Sequence, residues 1–524
     1  MLNKKIYIKE WSFFKPYSKQ TTTDIYYLKL SNEVKRNISP LCYNELSKFL
    51  SSKEINALCC FLVSYFEDQI SETNLWNSFI SLHKKKYGKP LPFFDTSEYI
   101  EKEINHQDVA FLIWYFINCL DRDSFLESNH PLIMLLANEV MIVLEEEYEY
   151  APENTLLQSY YRLSIINEDD AYYEVKKFCE TILLKSYLFF PDTLYRYTEQ
   201  KISIIENDSI DSRYKPQVLY DAIDGIINES KTALLSISGD EWILEIIGVS
   251  HPLYQDICKL PRKIRGMFFY KGADEKTIFT QHIASGKMFN LTKKSFSKDN
   301  YPKEIDDILY FGMSFWKEEW WLSGSFLSYQ YDQKIVDQEK KSLIEINKVN
   351  SLNPEIKKQN IETLKKMQES FLEFNNNSLI VFLPSGALDS FHKKFISFHN
   401  DRLNNKIDPN QKYSFEPGKT ATDERALLFF NPNGGIEYGF DINSAFPTSE
   451  NPFYDPETEE EDFKYLLMDS NLSTELALYA IENYGDHIQY LKTQNGKKIL
   501  EDIDFLLRFW KCDYYETKPA ITVL

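Results

Sequence analysis

Few side chains in this sequence stand at the spacing that chemistry requires. Ser385 lies in Pro384-Ser385-Gly386, after an apolar run and before a helical one. Free amides at a helix start can hold an anion, and a serine on such an elbow could act as a nucleophile. The Gly-x-Ser-x-Gly pattern of that arrangement is missing, so capping is the plainer role. His282, in a strand beside Ser285, and His251, before Pro252, have no evident nucleophile nearby in sequence. His392 and His399 are seven apart on one expected helix, two turns rather than the three or four residues that zinc ligands favour. No cysteine pair has ligand spacing, so neither metal nor cofactor is expected. Three glycines in Asn433-Gly434-Gly435-Ile436-Glu437-Tyr438-Gly439 sit between two strands with no Lys-Ser/Thr after them, which predicts a hairpin turn and not a phosphate loop. Asp502 and Asp504 do not share a helix face, and Asp274-Glu275-Lys276 falls in a turn. Trp316, Trp320 and Trp321 could stack bases or hold a peptide. Strand alternation puts Trp320 and Trp321 on opposite faces, one core and one surface. The candidate binding residues are therefore Trp320, Trp321, His282 and Ser385, with no catalytic set assigned.

The elements that must position them fall into five stretches, and the fold class they predict is a multidomain α+β chain. Residues 1–40 form a basic lead-in, in which Asp24 is placed to cap a helix starting at Ile25. Residues 41–262 are helical: Ile55, Leu58, Cys59, Leu62 and Phe66 recur at three- and four-residue steps, and a long run from Ala171 is expected to end at Pro191. Residues 263–332 read differently. Strands are predicted over 266–270, 277–283, 288–292, 308–315 and 325–331, with Gly286 supplying positive φ in a hairpin turn. Five strands in so short a stretch fit a small SH3-like or OB-like barrel. Residues 333–376 form a helical hairpin linker broken at Pro354. Residues 377–524 form an α+β domain with C-terminal helices.

Composition bounds the rest. The chain has 524 residues, too many for one core. Net charge is −20, which disfavours nucleic acid and anionic membranes over the chain as a whole. The first 36 residues are locally basic, with Lys4, Lys5, Lys9, Lys15, Lys19, Lys29, Lys35 and Arg36 against Glu10, Asp24 and Glu33. Acidic runs at 145–149 and 457–462 read as solvated faces on which the basic start could dock. Seven irregularly spaced cysteines suit buried thiols in a reducing cytoplasm. The longest apolar run, 109–117, is too short to cross a membrane.

Several motifs carry a resemblance. KPYSKQTTTDIYYLKLSNEV at 15–34, HIASGK at 282–287, EEWWLSG at 318–324, DINSAFP at 441–447 and DFLLRFW at 504–510 resemble an uncharacterised bacterial family, found mainly in Bacteroidota and known only as a domain of unknown function. The resemblance spans nearly the whole chain and implies no active site. The β stretch is also similar to small barrels that accompany SEC-C-type modules, through its Ser285-Gly286 hairpin and late Trp320-Trp321-Leu322-Ser323-Gly324; the Cys/His tail of those proteins is absent. The expected function is that of a cytoplasmic, non-enzymatic protein-interaction or regulatory factor with the barrel as recognition element. A nucleic-acid- or ribosome-associated protein and an enzyme with its pocket in the C-terminal domain are the alternatives.

Overall fold

Caps set where the first helices begin. Thr21 Oγ1 accepts from the Asp24 amide at 3.2 Å while Asp24 Oδ2 accepts from the Thr21 amide at 2.8 Å. This reciprocal box starts the helix at Thr22 and places Asp24 at its third position, three residues before the start expected at Ile25. Ser51 and Glu54 repeat the device. The structure is a computed structural model that describes residues 5–121, 125–164, 171–260, 263–296, 304–350, 352–403 and 425–517. The chain divides into two units, Met1–Gln333 and Lys334–Leu524.

In the first unit the described helices are α1 (Ile8–Ser12), α2 (Thr22–Asn37), α3 (Pro40–Leu46), α4 (Ser52–Ile70), α5 (Leu75–Tyr87), α6 (His106–Leu120), α7 (Pro131–Glu147), α8 (Thr155–Tyr160), α9 (Ala171–Lys185), α10 (Tyr195–Glu206), α11 (Lys215–Asn228), α12 (Gly239–Ile247) and α13 (Tyr254–Ile257). α4 and α6 are buried almost all round, as helices apolar on every side must be. The run 109–117 lies within α6, and no described helix is long and apolar enough to cross a membrane. Rings fill the space between these helices: Phe79 and Phe111 stack at 5.2 Å and Phe111 and Trp114 meet at 5.7 Å. Much of the aromatic content thus serves ordinary packing. The helical run from Ala171 ends at Lys185, before Pro191 is reached. Pro191 opens a π-helical turn, Phe190–Leu194, that feeds α10, because a proline in a first turn gives up only an amide that lacks a partner there.

The strands that follow are β1 (Ile264–Ala273), β2 (Thr277–His282), β3 (Met288–Thr292), β4 (Ile308–Trp316) and β5 (Glu319–Tyr329). Gly286 turns β2 into β3 at φ +71°. Pairing runs β1-β2-β3-β5-β4 and returns to β1 through Ile264–Met313 and Phe269–Ile308. All of it is antiparallel except where β3 meets β5 in a single parallel pair, Leu291–Trp320. The result is a curled sheet closed through one residue pair, with Phe268 and Phe311 stacked at 4.3 Å inside it. Register slips where Phe311–Phe326 gives way to Gly312–Ser323, leaving Gly324 and Ser325 as a bulge on β5.

The second unit carries α14 (Gln333–Lys341), α15 (Leu343–Asn350), α16 (Pro354–Phe374), β6 (Ile380–Pro384), α17 (Leu388–Arg402), β7 (Arg425–Asn431), β8 (Gly435–Phe440), α18 (Glu459–Met468), α19 (Thr474–Tyr484), α20 (Gln489–Lys492), α21 (Gln494–Glu501) and α22 (Ile503–Trp510). The sheet order is β6-β7-β8, antiparallel throughout. One face of β7, with Ala426, Leu428 and Phe430, packs on Phe371 of α16 and Phe395 of α17. From its other face Phe429 meets Tyr479 of α19 at 5.2 Å. The hairpin turn forms where the glycines stand: Asn431 Oδ1 accepts from the Asn433 and Gly434 amides at 2.9 and 3.2 Å. The acidic run at 457–462 is only partly a solvated face. Glu459 is buried and accepts from the Gln489 and Tyr490 amides at 2.5 and 3.2 Å, so it caps α20. The polar loop expected at 403–424 lies, beyond Leu403, outside the described residues.

Candidate functional site

α11 presents Asp221 and Asp224 three residues apart, hence on one face. That face receives the β5 bulge. Ser323 Oγ donates to Asp224 Oδ1 at 2.8 Å, the Ser325 amide donates to Asp221 Oδ1 at 2.8 Å, and Ser325 Oγ donates to Asp221 Oδ2 at 2.5 Å. Gly324 makes the approach possible. Its φ is +77°, and a Cβ there would lie 2.8 Å from Asp221 Oδ1 and 2.9 Å from Asp224 Oδ2. Three cations close the cluster. Lys176 of α9 and Lys263 beside β1 both pair with Asp224, and Arg265 of β1 pairs with Asp221. Burial, with Arg265 and Lys176 adding, pushes Lys263 down to about 7, while Asp221 opposes. The side chains of Lys263 and Asp224 are each 1% exposed, so this pair is a joint between strand and helix and not a reactive surface.

Beside the joint is a cavity of about 590 Å³ walled by α10, α11, β1, β4 and β5. Asp221, Glu229 and Arg265 bring charge to its wall, Tyr214 and Tyr310 bring rings, and Gln200, Gln217 and Ser230 bring polar groups. Arg265 lies 5.0 Å over the Tyr310 ring. Glu229, 40% exposed, reaches Lys263 only at 4.0 Å. Gly225, Ile226 and Glu229 bring the last turn of α11 to this wall.

Residues 5–264 match a family model described as a protein of unknown function (DUF3843). No curated protein and no solved structure matches the chain. The DUF3843 match covers just under half of the chain and ends inside β1. It supports an uncharacterised domain family over that stretch, and carries neither the Bacteroidota source nor the likeness to SEC-C-associated barrels. Lys176, Asp221, Asp224, Glu229 and Lys263 lie within the DUF3843 region; Arg265, Tyr310 and the bulge lie beyond it.

The residues singled out from sequence sit elsewhere. Trp321 is 3% exposed, covered by Tyr172 and Tyr173 of α9 at 5.6 and 5.8 Å. Trp320, on the opposite face, is half-buried against Phe289 and Phe315 at 5.3 and 5.2 Å. Of the two opposite faces, the one that bears Trp321 is occupied by a helix from the same unit. His282 is buried, with Nδ1 2.9 Å from Ser285 Oγ and accepting from the Ser285 amide at 3.2 Å, so it braces the Gly286 hairpin. Ser385 is buried in a 3-10 turn, Ser385–Ala387, and the cap position of α17 belongs to Ala387. That turn lies between the end of β6 and the α17 start at Leu388. His392 Nδ1 meets Tyr438 Oη at 2.5 Å and His399 Nδ1 meets Ser370 Oγ at 2.8 Å. Among the described residues no group of three His, Cys, Asp or Glu could hold a metal ion. Six of the cysteines are buried free thiols, while Cys258 is an exposed one.

The basic start docks on its own unit, and it meets the 145–149 acidic run through Tyr26, whose hydroxyl donates to Glu147 Oε2 at 2.5 Å. Lys15 is buried and pairs with Glu67 of α4, and its Nζ lies 4.0 Å over Trp11. Glu67 also accepts from Asn154 Nδ2 at 2.7 Å, and burial raises its pKa above the usual range. Lys4 lies outside the described residues.

Sequence reasoning missed the joint and the cavity. Their signals are present: carboxylates three apart on a helix, cations two apart at 263 and 265, and a Ser-Gly-Ser break in strand alternation. Nothing in one dimension says that they meet.

Proposed function

We propose that the protein is a cytoplasmic, non-enzymatic interaction or regulatory factor. Its β module, read as a small SH3-like or OB-like barrel, is the recognition element together with α11. The cavity at their joint is where a partner is gripped. The observation that carries this reading is the state of Asp221. It accepts two hydrogen bonds from Ser325 and pairs with Arg265, so it is committed to holding the wall in shape. A catalytic reading of the cavity would want two carboxylates open to a ligand, whereas rigid walls with tyrosine rings favour binding. The basic start supports a nucleic-acid reading less well, because one of its cations, Lys15, is spent on Glu67.

The test is site-specific photocrosslinking in the native host, with benzoylphenylalanine at Tyr310 and, as control, at Tyr150, which is 76% exposed at the far end of α7. A discrete covalent adduct from position 310 and none from 150 is expected. No adduct, or the same adducts from both positions, overturns the reading.

A further inference from the structure

We infer that residues 95–104 form a pH-gated strap over the start of α6, shut while Asp108 holds a proton and loosened once that carboxyl is ionised. Asp108, in the first turn of α6, is fully buried and in neutral company. The Tyr65 hydroxyl of α4 donates to its Oδ2 at 2.6 Å, and the Tyr99 hydroxyl of the strap donates to its Oδ1 at 2.8 Å. Asn105 Nδ2 lies 3.4 Å from Oδ2, and Trp76 of α5 stands beside the carboxyl. Burial outweighs what these four neighbours give and raises Asp108 to about 7. The charged groups around this cluster are engaged elsewhere. Asp68, beyond Trp76, accepts from Thr73, Tyr187 and the Trp76 amide. Glu101, which acts on Tyr99, pairs with Lys84 at the surface. His106 precedes Asp108 on α6, and Glu98, Lys102 and Glu103 complete the titratable groups of the strap.

Of the walls around Asp108, the strap is the one able to yield. Tyr65 and Trp76 are buried on core helices, and α6 is buried from Asp108 to Cys119. On the strap, Ser97, Glu98, Ile100, Glu101, Lys102 and Glu103 are exposed. Its two ends are fixed. Phe93 packs on Trp114 at 4.7 Å before it, and Asn105 after it brackets the Ile100 amide and carbonyl at 3.0 and 2.8 Å. Between these ends the Tyr99 hydroxyl ties the strap to the interior, while Lys84–Glu101 and the Gln107 amide on the Asp95 carbonyl tie it at the surface. Lifting so exposed a segment gives up little packing and lets water reach the carboxylate. The shut state keeps its proton up to about pH 7, whereas a hydrated carboxyl loses it near about 3.9. Opening is therefore favoured by up to about tenfold per pH unit between these values, and the gain stops above them.

The experiment is hydrogen–deuterium exchange of the full-length protein from about pH 5 to about pH 8, read by mass spectrometry on peptides covering 95–105, with the intrinsic pH dependence of exchange divided out. Protection of the strap is expected to fall by up to about tenfold per unit until about pH 7 and then to level. At every pH it is expected to stay below that of α4, since the strap opens without the core. Asp108→Asn, which cannot ionise, makes strap protection independent of pH. Tyr99→Phe keeps the ring and cuts the tie; it lowers strap protection throughout and leaves the β module unchanged, and it carries the test if Asp108→Asn fails to fold. Wild-type strap protection that does not vary with pH overturns the inference, as does a slope that survives Asp108→Asn or a silent Tyr99→Phe. Strap amides as well protected as those of α4 overturn it too, because opening would then be unfolding of the whole unit.

Discussion

Lys15–Glu67 and Lys263–Asp224 are both lysine–carboxylate pairs shut away from water, and each fastens a segment to the helical body of the first unit. Their surroundings differ. Around Lys15 everything closes: Trp11 covers the ammonium, and Asn154 and Tyr17 tie Glu67 to Asp24 through bonds of 2.7–3.1 Å. Around Lys263 the cluster reaches open space: Lys176 and Arg265 share Asp224 and Asp221 with it, and Glu229, 4.0 Å from its ammonium, stands with Arg265 and Asp221 on a cavity wall. A buried ion pair by itself is weak grounds for a site, since it can as well be a fastening. What separates these two is the open space beside one of them.

The sharpest way to break the comparison is to remove each carboxylate. Asp224→Ala strands two ammonium groups and Glu67→Ala strands one. Each is expected to cost about 3–5 kcal/mol, with Asp224→Ala the larger, in denaturant unfolding. If Asp224→Ala costs under about 1 kcal/mol, the joint is not a buried ionic fastening. The tryptophans probe the same joint from the strand side. Trp321→Ala, under α9, should cost about 3–5 kcal/mol, and Trp320→Ala clearly less, because it is only half-buried; equal losses would mean that α9 does not cover Trp321.

Asp108 sharpens the contrast from a third direction, because it is a buried carboxylate held by neutral donors. Tyr65 and Tyr99 hydroxyls donate to it at 2.6 and 2.8 Å, yet burial outweighs them and lifts it to about 7. The folded value exceeds the unfolded value of about 3.9, so the native state binds more protons between about pH 4 and 7. Stability should fall as pH rises through that window, by up to about 1.4 kcal/mol per unit, and Asp108→Asn should flatten the slope. A wild-type slope that survives the substitution assigns the effect to another group. The smallest effect belongs to the surface of the basic start. Lys9→Gln and Lys19→Gln, both exposed, should change stability by less than about 0.5 kcal/mol, whereas Lys15→Gln, which strands Glu67, should not be silent. A nucleic-acid binding assay on a variant that neutralises all of these together would confuse lost affinity with lost structure.

Much of the β module was legible because alternation and turn chemistry are local. Met288–Thr292 and the Gly286 turn can be read from a few neighbouring residues. The two tryptophans mark where that legibility stops. Their opposite facing follows from alternation, but the cover over Trp321 comes from Tyr172 and Tyr173, far off in sequence. At Ser385 a 3-10 turn comes between strand and helix without altering any periodicity. The candidate site was the least legible part, since Asp221, Asp224 and the bulge each look ordinary alone and acquire meaning only on contact.

That contact has a consequence for the order of assembly. Ser323 and Asp224 are 99 residues apart, and Ser325 and Asp221 are 104 apart. Closing so long a loop is rewarded only once α11 and the β5 bulge already have their shapes. The joint is therefore expected to form late in folding. Asp224→Ala is expected to leave the folding rate nearly untouched and to speed unfolding, as stopped-flow denaturant jumps would read. Persistence, rather than speed of arrival, is what this pair of carboxylates sets.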